Sequence, residues 1–186
     1  MSVSVNIHAI IPCSRVNGPG ARMVVFFQGC ERACPGCFNP DTHSFAPREL
    51  LGIEAIMERL PSAPVEGITV SGGEPFMQPE GLLALLGEAR RRGLGTVVYT
   101  GFRIEELTGV ARSCVGLIDV IVDGAFEEER AERTLLARGS SNQRFHFLTG
   151  RYGIGDFMMP GKVEVTIAAN GVVTETGFSQ ILLSGE

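Results

Sequence analysis

Short apolar runs alternate with helical patterns along most of this chain. The runs are rich in β-branched and aromatic residues, as buried strands are, and they predict strands at residues 23–27, 68–71, 96–99 and 117–122. Apolar positions at three- and four-residue spacing predict helices at residues 47–60, 79–92 and 104–114, and the charged stretch 126–137 is also predicted to be helical. Strands that alternate with helices are joined by right-handed crossovers, so the pattern predicts an α/β fold with parallel strands.

A different pattern follows residue 150. Residues 163–167 alternate strictly between apolar and polar side chains, Asn170-Gly171 is a strong two-residue turn signal, and residues 172–176 follow as a return strand. We therefore expect two parts. Residues 1–150 form about four βα units, which make an open or partial barrel because a closed one needs eight. Residues 151–186 form a C-terminal β-hairpin extension.

Composition places the chain among ordinary globular proteins. It has 186 residues, 44% of them hydrophobic, and a formal net charge of −5. An acidic chain has no positive field to collect a polyanion, so nucleic acid is not expected as a partner. The N-terminus lacks the features of a signal peptide and no apolar run is long enough to cross a bilayer, so we expect no membrane association and a cytoplasmic location.

Three of the five cysteines, Cys30, Cys34 and Cys37, lie in one loop directly after a predicted strand. Such crowding favours a metal site over a disulfide framework. Three thiolates can hold three irons of a 4Fe-4S cluster and leave the fourth iron open to an exchangeable ligand. A structural zinc site or a closed electron-carrier cluster would need a fourth ligand, which for zinc would come from His43, Cys13 or Cys114. The cysteines alone leave these alternatives open.

Other chemistry-bearing residues follow the predicted strands at the same end. Gly72, Gly73 and Glu74 come after the second strand, Thr100 after the third and Asp123 after the fourth. Ligand sites of parallel α/β sheets form at the carboxyl ends of the strands, so we expect these residues to converge with the cysteine loop. Glycines let a ligand approach the backbone, and a carboxylate suits a cationic amine.

The C-x3-C-x2-C spacing of the cysteine loop and the segment SGGEP at residues 71–75 resemble the radical S-adenosylmethionine superfamily. Four further segments are similar to the activating enzymes of glycyl radical enzymes, particularly those of anaerobic ribonucleotide reductases. They are VNGPGAR at residues 16–22, YTGF at 99–102, VDGAF at 122–126 and RGSSNQR at 138–144. The similarity spans about residues 10–145. The most compact members of the family lack a hairpin like that of residues 162–178.

The resemblance implies a fold, two cofactors and their ligands. The fold would be the partial βα barrel of radical S-adenosylmethionine enzymes. Cys30, Cys34 and Cys37 would ligate a 4Fe-4S cluster. The residues that would bind S-adenosylmethionine are Gly72, Gly73, Glu74, Thr100 and Asp123.

The activity implied by the resemblance is that of a radical S-adenosylmethionine oxidoreductase. Reductive cleavage of the cofactor would yield a 5′-deoxyadenosyl radical, which would take hydrogen from a glycine of a partner enzyme and leave a glycyl radical there. The partner would be an anaerobic ribonucleotide reductase or a related glycyl radical enzyme, and a flavodoxin- or ferredoxin-type protein would donate the electron. Two alternatives stay open: a radical enzyme acting on a small molecule or peptide, and a non-catalytic iron–sulfur or zinc module.

Several other polar residues carry weaker signals. Arg138 and Arg144 could meet the cofactor carboxylate, the partner protein or solvent. The three histidines, His8, His43 and His146, are given no catalytic role because lone histidines are mostly structural or solvated.

Overall fold

The computed structural model describes residues 3–159, 163–167, 171 and 173–178. In chain order, their strands are β1 (Ser4–Ser14), β2 (Arg22–Phe27), β3 (Glu49–Gly52), β4 (Gly67–Gly72), β5 (Gly95–Thr100), β6 (Val120–Asp123), β7 (Arg144–Phe147), β8 (Val163–Ile167) and β9 (Val173–Gly177). The α-helices are α1 (Ile53–Met57), α2 (Pro79–Arg91) and α3 (Gly109–Cys114). The 3-10 helices are Pro40–Thr42, Pro75–Met77, Ile104–Glu106, Val115–Leu117, Glu128–Arg130 and Ile154–Phe157.

Seven strands form one mixed sheet in the order β3-β1-β2-β4-β5-β6-β7. The four central strands, β2, β4, β5 and β6, are parallel, and they are the four that the apolar runs predict. The outer strands differ, because β1 runs antiparallel to both β2 and β3, and β7 runs antiparallel to β6. The fold is therefore α/β with a parallel centre. The four predicted strands are parallel as expected, and the antiparallel outer strands were not predicted.

The two faces of the sheet are covered differently. On one face, strand residues such as Ile68 and Val98 are buried in a core with Leu82 of α2 and other residues of the helices. On the opposite face, Val97 and Val122 belong to a second core cluster, built with segments that follow β6. Successive side chains of a strand point to opposite faces, so β5 and β6 contribute to both clusters.

The helix predicted at residues 47–60 is wrong in its first half. Residues 49–52 form β3, which pairs with residues 4–7 of β1, and α1 covers only Ile53–Met57. Pairing at the sheet edge leaves the Leu50 side chain 60% exposed, so its apolar spacing does not mark a buried helix face.

The helix predicted at residues 126–137 is also wrong. Only the short 3-10 turn Glu128–Arg130 forms there, and the chain then folds back through a bridge between Ala131 and Ser140. The amide of Glu132 donates to the carbonyl of Gly139 at 2.9 Å, so these backbone groups pair across a loop and not along a helix. The helix predicted at residues 104–114 forms only in part. Ile104–Glu106 is a 3-10 helix, and α3 begins only at Gly109.

Two strands of the sheet leave no clear hydrophobic pattern. β1 has register shifts between Ile7 and Ala9 and between Ile11 and Ser14, and such bulges break the alternation of apolar and polar residues. β7 is only four residues long and each residue is half-buried. For these reasons the sequence pattern predicts neither β1 nor β7.

The C-terminal strands β8 and β9 pair antiparallel, from Val163 opposite Gly177 to Ile167 opposite Val173. Residue Asn170 of the predicted turn and Val172 of the predicted return strand lie outside the described residues. Tyr152 and Phe157, at the start of the predicted extension, belong to the second core cluster. The division of the chain after residue 150 stays a prediction. No helix in the described part of the chain has the length and apolar character needed to cross a membrane.

Candidate cofactor site

The cysteine loop leaves the carboxyl end of β2 and is held by backbone hydrogen bonds. The amide of Gly29 donates to the carbonyl of Thr42 at 2.7 Å, and the amide of Cys30 donates to the carbonyl of His43 at 3.2 Å. These two bonds fix the start of the loop against the 3-10 helix Pro40–Thr42. The three cysteines of the loop are half-buried, and all of them line one cavity.

Gly72 and Gly73 bring the end of β4 against the start of the cysteine loop. The amide of Gly73 donates to the carbonyl of Phe27 at 2.8 Å, and the amide of Glu74 donates to the carbonyl of Gly29 at 2.9 Å. Gly72 has a φ of +100°, and a Cβ on Gly73 would lie 2.4 Å from the Gly29 carbonyl oxygen. Glycine is required at both positions because the two chain segments meet too closely for a side chain. The pair seats the cysteine loop beside Glu74.

Glu74 is a buried carboxylate that joins the segments after β4 and β5. Its Oε1 accepts hydrogen bonds from the Phe76 amide at 3.1 Å and the Thr100 hydroxyl at 2.8 Å, and its Oε2 accepts one from the Gly101 amide at 2.8 Å. Burial raises the pKa of Glu74, against the opposing effect of these donors and of Arg32. Because all three partners donate, they fit an ionised carboxylate, which keeps acceptor capacity for one further donor.

A cavity of about 530 Å³ joins these groups. Its wall contains every predicted site residue except one: Cys30, Cys34, Cys37, Gly72, Gly73, Glu74 and Thr100. Aromatic side chains complete much of the wall, namely Phe26, Phe38, Tyr99, Phe126 and Phe178. The volume lies in the range of small-molecule sites, roughly 300–1,000 Å³, and the mixture of apolar walls and few polar groups is typical of such sites.

The donor set of this cavity suits an iron–sulfur cluster. Burial raises the pKa of Cys30 and of Cys37, while backbone amides near each sulfur act in the opposite direction. Half-buried thiolates are favoured when a metal supplies positive charge, and thiolates are the usual ligands of 4Fe-4S clusters. Among the described residues, no group of three or more His, Cys, Asp or Glu side chains is arranged to hold a single metal ion. That the three cysteines ligate three irons of a cluster stays a prediction.

The segment before β2 reaches the cavity through Asn17. The fully buried Arg22 donates from Nε to Thr69 Oγ1 at 2.7 Å and from Nη2 to the carbonyl of Ile68 at 3.0 Å. The Thr69 hydroxyl in turn donates to the carbonyl of Asn17 at 2.7 Å. This chain of hydrogen bonds fixes Asn17 in the cavity wall. In the sequence, only the family resemblance singles out residues 16–22. The structure places Asn17 of this segment in the cavity wall.

Asp123 does not line the main cavity. It is fully buried beside a smaller cavity of about 190 Å³, where Arg144 lies 2.6 Å from its Oδ2 and the Ile104 amide donates to the same oxygen at 2.8 Å. Burial alone would raise the pKa of Asp123, but hydrogen bonds from Arg144 and Ile104, together with the His146 ring 3.1 Å from Oδ2, outweigh burial and lower the pKa. The carboxylate holds β6, β7 and the segment after β5 together. Its direct contact with the cofactor stays a prediction.

The two arginines singled out from the sequence are both paired inside the protein. Arg138 donates to the carbonyl of Gln143 at 2.8 Å and forms an ion pair with Glu132, and Arg144 pairs with Asp123. Gln143, held in this way, lines the main cavity. The arginines therefore shape the loop at residues 138–144.

Two other side chains at the cavity were given no role in cofactor binding from the sequence, although His43 was named there as a possible fourth ligand of a zinc site. Nε2 of His43 is buried and finds no hydrogen-bond partner within the described residues. The guanidinium of Arg32 lies 4.5 Å from the centre of the Phe102 ring, and both His43 and Arg32 line the cavity. One feature of the sequence could have indicated Arg32. It lies between Cys30 and Cys34, so its side chain is near the thiols wherever the loop folds.

We expect Asp123→Asn to lower the free energy of unfolding at pH 7 by about 2 kcal/mol, because a neutral amide replaces a charged acceptor of several hydrogen bonds. The folded-state pKa of Asp123 is lowered, so its stabilisation is present above the ordinary pKa of about 3.9 and is lost as the pH falls through the folded-state pKa. Urea unfolding of the original protein and of Asp123→Asn should therefore be measured between pH 7 and pH 3. The difference between their free energies of unfolding should become smaller as the pH falls. The exposed Asp41 offers the control Asp41→Asn, and equal stability of the Asp123 variant at pH 7 would contradict the expectation.

A family model described as "4Fe-4S single cluster domain" matches residues 16–146, which include the cysteine loop and the segments after β4, β5 and β6. The fold and the site thus define a single-cluster iron–sulfur protein. The chain is 35% identical over 153 residues to the anaerobic ribonucleoside-triphosphate reductase-activating protein of Escherichia coli (strain K12), with 77% of this chain and 99% of the relative covered. It belongs to the family of anaerobic ribonucleoside-triphosphate reductase-activating proteins.

Further relatives carry the same name. That of Haemophilus influenzae is 34% identical over 144 residues, covering 73% of this chain and 93% of the relative. That of Enterobacteria phage T4 is 32% identical over 146 residues, covering 75% and 92%. The crystal structure of QueE from Escherichia coli has a TM-score of 0.47 at 14% identity, over 68% of this chain and 72% of that chain.

Proposed function

We propose that this chain is a radical S-adenosylmethionine activating enzyme that generates a glycyl radical on an anaerobic ribonucleoside-triphosphate reductase. The observation that carries the proposal is the meeting of the three-thiol loop with Gly73, Glu74 and Thr100 around one cavity, in a chain of this family. The cofactors are a 4Fe-4S cluster and S-adenosylmethionine. When bound, they supply the electron transfer and the radical that begin the reaction.

The residues of the wall have distinct proposed roles. Cys30, Cys34 and Cys37 hold the cluster and leave one iron for the cofactor. Glu74 provides negative charge for the cationic amino group of the cofactor, and Thr100 orients that carboxylate through the 2.8 Å hydrogen bond. The aromatic walls exclude water, which protects a reactive radical from side reactions.

Further parts of the proposal concern shape, location and the electron source. We propose that the sheet forms an open, partial barrel, because the cavity is lined from β2, β4, β5 and the residues directly after these strands. The crowded cysteines favour a reducing compartment, so the proposed location is the cytoplasm. The proposed electron donor is a flavodoxin or ferredoxin.

Formation of 5′-deoxyadenosine is the first expected result of this proposal. The protein, reconstituted with iron and sulfide without oxygen, should release it when mixed with S-adenosylmethionine and dithionite. Chromatography of the quenched mixture measures the product. A reconstituted protein that carries its cluster and releases no 5′-deoxyadenosine would contradict the enzyme assignment and favour an electron-carrier role.

Electron paramagnetic resonance then tests the partner. Adding the host's anaerobic ribonucleotide reductase should produce a carbon-centred doublet, and replacing the reductase's radical-bearing glycine should remove it. Release of 5′-deoxyadenosine without a doublet on any glycyl radical enzyme of the host, together with consumption of a small metabolite or peptide, would overturn the assignment of the partner while keeping the radical chemistry.

A further inference from the structure

The C-terminal hairpin lines the cavity described above. Glu175, Thr176 and Gly177 of β9, with Phe178 directly after it, stand in the same wall as the cysteine loop and Tyr99. The family model matches residues 16–146, so this part of the wall lies outside the matched region.

Three long-range contacts fix the hairpin in this position. Asn17 donates from Nδ2 to Thr176 Oγ1 at 2.9 Å, and the Arg15 amide donates to Glu164 Oε1 at 2.9 Å. The rings of Tyr99 and Phe178 lie 5.3 Å apart, within the range of aromatic pairs. Since Asn17 and Tyr99 also line the cavity, two of these contacts are made at the cavity wall itself.

The anchoring side chains are positioned by the core of the protein. The Tyr99 hydroxyl donates to the carbonyl of Ala137 at 2.8 Å, and Tyr99 is almost fully buried. Asn17 is held through the Thr69 hydroxyl, as described above. A hairpin that rests on such residues is supported by rigid elements at the point where it meets the cavity.

From these contacts we infer that the hairpin β8–β9 is a built-in wall of the cofactor site, with Thr176, Gly177 and Phe178 enclosing bound S-adenosylmethionine. The inference rests on the proposed function. The strands β2, β4 and β5 and the residues directly after them supply one part of the cavity wall, and the hairpin supplies another part. The enzyme therefore encloses its cofactor partly with its own chain, and the partner protein has only the remaining opening to close.

Binding of S-adenosylmethionine to the reconstituted full-length protein tests the inference. Phe178→Ala removes the ring that packs on Tyr99 and should raise the dissociation constant about tenfold, while the iron–sulfur absorbance stays unchanged. Thr176→Val keeps the shape of the side chain but removes the acceptor for Asn17, and should give a smaller rise. Ile167→Ser is the matched control, because the Ile167 side chain is 72% exposed and lies outside the cavity wall.

A fluorescence probe provides a second readout, because the chain contains no tryptophan. Phe178→Trp places a single tryptophan at the cavity, and Ile167→Trp places one on the exposed face of the hairpin. Adding S-adenosylmethionine should change the emission of the first variant in a saturable way and leave the second unchanged. This readout needs no turnover.

The outcomes separate this inference from the proposed function. If the unmodified protein neither binds S-adenosylmethionine nor forms 5′-deoxyadenosine, the proposed function fails. If it does both, and the Phe178 and Thr176 variants bind the cofactor with unchanged affinity, the hairpin is not a wall of the site. Unchanged affinity combined with a lost glycyl radical signal would likewise overturn the inference, in favour of a hairpin that only contacts the partner protein.

Discussion

Cys30→Ala, Cys34→Ala and Cys37→Ala should each abolish the iron–sulfur absorbance of the reconstituted protein and its formation of 5′-deoxyadenosine. The three thiols line one cavity, and each is expected to hold one iron, so the loss of one ligand leaves an incomplete site. Visible absorbance, iron content and product analysis measure the effect. A complete loss in all three variants is the largest effect that we predict.

Cys114→Ala and Cys13→Ala are the matched controls. The Cys114 side chain is buried in the helical core, where burial raises the pKa of its thiol to about 11, and it lies within 3.6 Å of the Pro79 carbonyl. Cys13 is exposed on β1, and neither residue lines the cavity. Both variants should keep the cluster. Loss of the cluster in either one would mean that a fourth cysteine ligates it, which would contradict the open iron site.

Glu74→Ala should keep much of the cluster but weaken binding of S-adenosylmethionine roughly 10- to 100-fold, which is the second large effect. The variant removes the proposed negative charge for the amino group of the cofactor. It also leaves the Thr100 hydroxyl and the Gly101 amide, which donate to Glu74 at 2.8 Å, without their acceptor. Equilibrium dialysis with labelled cofactor, beside iron content, measures the two effects separately.

Glu74→Gln distinguishes charge from hydrogen bonding, because the amide keeps one oxygen acceptor of similar shape. Its affinity should lie between those of the original protein and Glu74→Ala. Glu58→Ala, at an exposed position after α1, is the control for removing a carboxylate elsewhere. If Glu74→Ala binds the cofactor as tightly as Glu58→Ala does, Glu74 is not part of the binding site.

Most of the site could be predicted from local patterns in the sequence. The central strands are continuous apolar runs because both of their faces are covered, and such runs are visible without knowledge of their neighbours. The residues directly after β2, β4 and β5 then meet at one edge because parallel strands share a direction. The cysteine loop, Gly73, Glu74 and Thr100 were therefore correctly expected to lie together.

Other features were decided only by contacts between distant parts of the chain. Residues 49–52 become a strand because β1 offers them unpaired backbone groups, and residues 126–137 fold back because their backbone pairs with residues 139–141. Asp123 ends its strand at the expected edge of the sheet, but its carboxylate forms an ion pair with Arg144 of the neighbouring strand β7. These pairings override local spacing, since they satisfy backbone and charged groups that would be costly to bury alone.

Local patterns in the sequence were enough to predict the α/β class, the parallel centre of the sheet and the convergence of the cysteine loop with the residues after β4 and β5, because strand burial and strand direction can be inferred from short segments. The sequence also indicated β8 through its alternation and β9 as a return strand after the Asn170-Gly171 turn signal. The tertiary structure decided where that hairpin lies, through the contacts of Thr176 with Asn17 and of Phe178 with Tyr99. No local pattern records such a contact, because it depends on two surfaces more than seventy residues apart in the chain meeting only after the sheet has formed.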